Sequence, residues 1–191
     1  VGSLDDNELL IGATALTTDQ ALLFKERSVY QMSTRNLVSS SFPIFPLHPN
    51  VGACGKNAIV NVNGEVYFIT LDRRMMSTNG SRLVEYPPSV DDLWDELNLS
   101  RLLYVQGVHY HGIDHEWLIW MCSTGSSSTN NFAMVWDLRN QCWLQRSTGL
   151  KSNIAAITLD GVFYTGNYDG KIYKQDVAST YTLASESSAA I

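Results

Sequence analysis

The densest chemistry in the sequence is the string HYHGIDH, which gathers His109, His111, Asp114 and His115 into seven residues. Side chains alternate along an extended strand, so His109 and His111 point to one face. Two imidazoles on one face are a familiar way to present nitrogen ligands to a metal ion. The string closes a hairpin and runs straight into the apolar strand EWLIWMC. His48 is the one other histidine, and no histidine follows His115 to complete a ligand set. The expectation is a polar hairpin tip, with no metal at His109, His111 and His115.

The same string comes close to the HxHxDH signature of metallo-β-lactamase-like hydrolases. It is one residue too long, which moves Asp114 and His115 out of register. A nucleophile is no easier to find. There is no GxSxG elbow, and Cys54 in VGACGKN has no obvious histidine partner. Cys142 directly precedes Trp143 on a strand, where it reads as a small buried hydrophobe. Asp91, Asp92, Asp95 and Glu96 form a solvated helix face, and Gly-rich phosphate loops are missing. The expectation is no catalysis, no cofactor and no small-molecule substrate.

Composition narrows the partners. The 191 residues include 19 acidic and 13 basic side chains, a net charge of −6. The isoelectric point near 5.1 argues against tight, phosphate-neutralising nucleic-acid binding, which needs a basic footprint. Charged residues are only 17% of the chain, while Ser, Thr and Asn supply 46 of the 191 residues, a polarity suited to turns and sheet faces. No apolar run approaches the roughly 18 residues of a membrane-spanning helix, so a soluble chain without membrane insertion is expected. Cys54, Cys122 and Cys142 are an odd set without CxxC spacing and read as free thiols from a reducing compartment. The start VGSLDDNELL lacks both Met and a signal-peptide pattern, as in a processed chain or a piece of a longer one.

The elements that hold these residues recur at a long period. Tight turns between apolar runs fall at Asp19-Gln20, Asn63-Gly64, near Gly112 and at Asp160-Gly161, spaced by 44, 48 and 49 positions. Asn-Gly and Asp-Gly favour the two-residue hairpin turn with positive φ at both central residues. A third run follows each hairpin (SVYQMS, RMMST, FAMVWDL, KIYKQD), then a fourth (SSFPIFPL, RLVEYPP, CWLQRS and, more weakly, TYTLAS). Four strands in about 47 residues is the content of one β-propeller blade. The predicted fold is all-β, a β-propeller of about four blade-like repeats over 1–177, possible also as part of a larger propeller. Blades fall near 9–47, 56–88, 102–147 and 152–183, and 178–191 is a tail. A β-sandwich with evenly spaced hairpins is the competing architecture. One short amphipathic helix is expected over 89–98, capped by Ser89 and burying Val90, Leu93, Trp94 and Leu97. Trp117, Trp120, Trp136 and Trp143 are expected to pack between blades rather than to form a sugar-stacking platform. The basic pairs Lys25/Arg27 and Arg73/Arg74 fall at equivalent points of the first two blades and are candidate partner contacts; the simpler reading is a solvated edge.

Several of these segments also read together as familiar phrases. LIGATALTTDQALLFKERSVYQMS, then NVGACGKNAIVNVNGEVYFITLDRRMMSTNGSRLVEY, then FAMVWDLRNQCWLQR resemble in order the repeated blocks of β-propeller tail and connector proteins of tailed bacteriophages. These are the nozzle or tail-hub proteins at the end of short tails, and the likeness runs over residues 9–176. It rests on phrase order and apolar pattern, and the last block is shared with kelch-type repeats. The resemblance implies a virion structural protein, made in the bacterial host cytoplasm, that joins copies of itself and other virion proteins in a ring. Genomic DNA would be passing cargo, and the acidic balance is compatible with a conduit wall that repels it. This sequence is shorter than is usual for such propellers. The alternative from a different class is a kelch- or lectin-like propeller that binds a protein or glycan through its loops.

Overall fold

Each apolar run pairs with the next across a short turn. In the computed structural model, which describes residues 7–33, 42–88, 93–112, 114–147, 151–175 and 189–190, four sheets result. The first contains β1 (Leu10–Thr17), β2 (Gln20–Lys25), β3 (Ser28–Ser33) and β4 (Ile44–Pro49). The second contains β5 (Ile59–Val62), β6 (Glu65–Ile69), β7 (Met75–Thr78) and β8 (Leu83–Glu85). The third contains β9 (Gln106–His111), β10 (Glu116–Cys122), β11 (Phe132–Asp137) and β12 (Cys142–Ser147). The fourth contains β13 (Ser152–Ile157), β14 (Phe163–Asn167), β15 (Ile172–Lys174) and β16 (Ala189–Ala190). Every sheet is an antiparallel meander whose strands neighbour one another in chain order. Four such repeats make the fold all-β and of the β-propeller class.

The turn chemistry is legible at Asn63-Gly64, where φ is 52° and 88°, as the two-residue hairpin between β5 and β6 requires. The first turn is Thr18-Asp19, one residue earlier than the sequence placed it, because Thr17 pairs with Gln20.

The chain divides into two compact units, Val1–Trp94 and Asp95–Ile191. In the first, the facing sides of sheets one and two bury Leu16, Leu22, Phe24, Val66, Phe68 and Met76, with Phe24 and Phe68 edge to face at 5.0 Å. The strap between these sheets is held from both: Ala53 N–H donates to Lys25 C=O (3.0 Å) and Cys54 N–H to Ile69 C=O (2.8 Å). Gly52 permits that approach, since a Cβ there would lie 2.1 Å from the Lys25 oxygen. In the second unit, sheet three buries Tyr110, Ile119, Met121 and Val135 with Phe163 of sheet four, and β9 runs beside β13.

Among the described residues, helix ends earlier than expected, at Glu96, and is less confined. Only α1 (Leu93–Glu96) is α-helical among the described residues of 89–98, and residues 89–92, with the Ser89 cap, lie outside them. Trp94 and Leu97 are buried and Asp95 and Glu96 exposed, as the amphipathic pattern implied. Two 3-10 turns, Lys56–Ala58 and Leu99–Tyr104, were not anticipated; the second is capped by Asn98, whose side chain accepts from Ser100 N–H. The weak fourth run TYTLAS lies outside the described residues. The fourth strand of sheet four is instead Ala189–Ala190, inside the stretch expected to be a tail.

Candidate functional site

The β9–β10 hairpin sorts its polar residues by face. The register pairs His111 with Glu116, Tyr110 with Trp117 and His109 with Leu118. His109, His111 and Glu116 therefore share one face, and Tyr110 and Trp117 the other. His109 Nε2 lies 3.0 Å from Glu116 Oε1, and the two side chains are 24% and 23% exposed. The rings of His109 and His111 are 6.3 Å apart. One ligand atom from each of His109, His111 and Glu116 lies within 4.8 Å of the other two.

His115 is not part of this group. It is buried, with its ring stacked on Trp117 at 3.9 Å and beside Tyr110 at 5.0 Å. Gly112 makes room for it: Gly112 N–H donates to the His115 carbonyl (2.9 Å), and a Cβ on Gly112 would lie 2.4 Å from His115 Cε1. The four-residue loop thus spends His115 on packing. Glu116 is the member that sequence reasoning missed, and the signal was available: a carboxylate at the first position of the return strand pairs with the last residue of the outgoing one. His48 lies in sheet one, hydrogen-bonded to Thr78 Oγ1 at 3.0 Å, and partial burial lowers its pKa.

The basic pairs do not behave as pairs. Lys25 is buried, with its ammonium 5.3 Å from the Tyr30 ring centre, so it is not a surface contact. It ends β2, a strand whose last four residues are all buried. Arg74 is engaged within its own sheet, at 2.5 Å from Asp72 and 2.8 Å from Glu85, and the hydrogen bond to Asp72 raises its pKa further. Arg73 sits in the β6–β7 turn at φ 62°. Arg27, exposed in the β2–β3 turn, lines a shallow cleft of about 290 Å³ with Glu26, Asn50, Thr70 and Asp72. A second open cleft, of about 610 Å³, is lined by Asp95, Glu96, Asn98, Ser100 and Thr124. Each presents two carboxylates and one side-chain amide.

Cys54 offers little nucleophilicity. Burial pushes the Cys54 thiol up to about 12, so it holds no useful thiolate at neutral pH. Cys122 is buried too, while Cys142 is exposed rather than buried because it opens β12 just after a turn. Trp120 and Trp136 are fully buried, as packing residues should be.

The fourth sheet contributes a different surface. Ile154 pairs with Gly166 and Gly166 with Ile172, so both isoleucines lie on one face, with Ala156 and Tyr164 two positions along. Ile154 is 60% exposed and Ile172 56%. Among the described residues, no helix is long and apolar enough to cross a membrane.

No family model and no curated protein matches this chain. Among solved structures it is similar to hydrazine synthase of Kuenenia stuttgartiensis, at 10% identity over all of this chain and 53% of that one, with a TM-score of 0.53. It is similar also to a structural genomics protein of unknown function from Bacteroides thetaiotaomicron, at 14% identity over 91% of this chain and 43% of that one, TM-score 0.51. A third match is the WD40 β-propeller domain of Doa1, at 9% identity, 88% and 65% coverage, and a TM-score of 0.41. The chain spans about half the length of the first two. At these identities the likeness is one of fold.

Proposed function

We propose that this chain is a non-enzymatic assembly part, a β-propeller segment that works by packing against further copies of itself. The specific setting we propose is the tail nozzle or hub of a tailed-phage virion, on the resemblance of residues 9–176 to those proteins. The observation that supports an assembly role is the outer face of sheet four. Ile154, Ala156, Tyr164 and Ile172 form an apolar row, bordered by Lys174, in which both isoleucines are more than half exposed. Apolar surface of that sort marks an interaction face. A second copy is the occupant we assign to it, because a ring of like subunits joins one sheet face to another repeatedly. DNA in such a ring passes an acidic wall and is not gripped by it.

The test has two arms. Sedimentation velocity across a concentration series is expected to show self-association that Ile154→Ser with Ile172→Ser abolishes. Mass spectrometry of purified particles is expected to find the chain there, and cryo-electron microscopy to place it at the tail. A monomer at every concentration, absent from particles, would defeat the reading. Saturable binding of a peptide or glycan by such a monomer, at the cleft of Asp95, Asn98 and Thr124, would establish the kelch- or lectin-like alternative.

A further inference from the structure

We infer that His109, His111 and Glu116 form a binding site for a divalent transition-metal ion of the zinc class, with at least one coordination position open. This inference rests on the hairpin alone and does not depend on the assembly role. It departs from the sequence expectation because that expectation counted His115, which faces away, and omitted Glu116.

The backbone fixes the arrangement. His109 and His111 alternate along β9, and Glu116 stands directly opposite His111 on β10. The three side chains rise from one face of an antiparallel ladder, where neighbouring Cβ atoms are about 5 Å apart. Their ligand atoms already lie within 4.8 Å of one another, and one pair is at 3.0 Å. Zinc bonds of roughly 2.0–2.1 Å in tetrahedral geometry set ligand atoms about 3.3 Å apart. Side-chain rotations that draw the set inward by about 1.5 Å satisfy that spacing without moving the strands. His109 and Glu116 are partly buried while His111 is exposed, so the ion would bind at the protein surface with its open position toward solvent.

The donor set selects the ion. Two neutral imidazoles and one carboxylate suit zinc, cobalt, nickel and copper, whereas magnesium and calcium prefer all-oxygen shells. Three protein ligands leave a tetrahedral ion one vacant position, to be filled by water. Bound there, the ion would tie the end of β9 to the start of β10 across the Gly112–His115 loop.

Titration of the chelator-stripped chain with Co²⁺ at neutral pH tests the site. Visible d–d bands are expected to saturate at one equivalent and to be displaced by Zn²⁺. His111→Ala and His109→Ala are expected to abolish saturable binding, and Glu116→Gln, which keeps a hydrogen bond to His109, to weaken it at least tenfold. His115→Phe, which preserves the stack on Trp117, is expected to bind normally. Far-UV circular dichroism of each variant establishes that the fold is intact. Absence of saturable binding overturns the inference, as does binding that persists in His111→Ala. Thiolate-to-cobalt charge-transfer bands that vanish in Cys142→Ser also overturn it, by assigning the ion to the exposed thiol.

Discussion

Sheets three and four belong to the same unit, are each a four-stranded meander and pack against each other, yet they treat their second faces differently. In sheet three both faces are buried: Ile119, Met121 and Val135 on the side toward sheet four, Leu118, Trp120 and Trp136 on the other. In sheet four Phe163, Ala155 and Ile157 join that shared core, while Ile154 and Ile172 stand in solvent. The residue types do not announce the difference, because sheet four carries large apolar residues on both faces too. An antiparallel sheet meant for water on one side alternates apolar with polar residues. The lesson is that β13–β15 carry the pattern of a sheet covered twice, and that the described chain covers it once.

The sharpest test of this contrast is Trp120→Ala, which empties a site with no exposed surface in sheet three. A loss of about 3–5 kcal/mol is expected in urea unfolding, the usual range for a large buried aromatic. Gly52→Ala extends the comparison to sheets one and two, whose strap leaves no room for a Cβ beside the Lys25 carbonyl. The cost expected from the forced shift is about 1–3 kcal/mol, read as a lower denaturation midpoint at unchanged slope. If Gly52→Ala proves neutral, the strap is not the tight joint that its two hydrogen bonds imply.

A third effect sets an acid limit on sheet three. Asp137 is buried at the end of β11, where burial alone would raise its pKa. Hydrogen bonds from Asn140 N–H (2.9 Å), Asn140 Nδ2 (2.8 Å) and Arg139 N–H (2.8 Å) outweigh that and hold the carboxyl below its usual range. A folded pKa below the unfolded one gives stability that is complete at neutral pH. It is lost as pH falls through the depressed value. Asp137→Asn is expected to cost roughly 1–2 kcal/mol at neutral pH and to flatten the acid limb of stability. An unchanged acid limb in the variant would show that another carboxylate sets it.

What the sequence made legible follows the reach of each signal. Turn chemistry is local, so Asn63-Gly64 and the hairpins around it were readable, as were the exact bounds of SVYQMS and CWLQRS as strands. Burial of a long cation is not local. Lys25 looks like surface from its type, but it ends a strand whose neighbours are all core, and Tyr30 takes up its ammonium. The His109–His111 alternation was visible because it lies within one strand. Glu116 joined them only through register across a four-residue loop, and one residue more or less in that loop would have put His115 there instead. The end of the helix was misjudged for a related reason: the 3.6-residue pattern runs on to Leu97, which is buried in a bridge to Thr124 after α1 has ended.

The smallest expected effect on stability tests the contrast most directly. Ile154→Ser and Ile172→Ser alter residues that are more than half exposed, so in the isolated chain each is expected to change unfolding free energy by no more than about 0.5 kcal/mol. A core isoleucine truncated in the same way would cost about 2–5 kcal/mol. The same two changes are expected to remove self-association, because they take the apolar row from the outer face of sheet four. The two readouts must therefore separate: association lost, chemical stability nearly kept. If both fall together in dilute solution, the isoleucines are already buried within a single chain, and sheet four is covered twice like sheet three. If neither changes, the face is plain surface, and its apolar row has no partner to explain it.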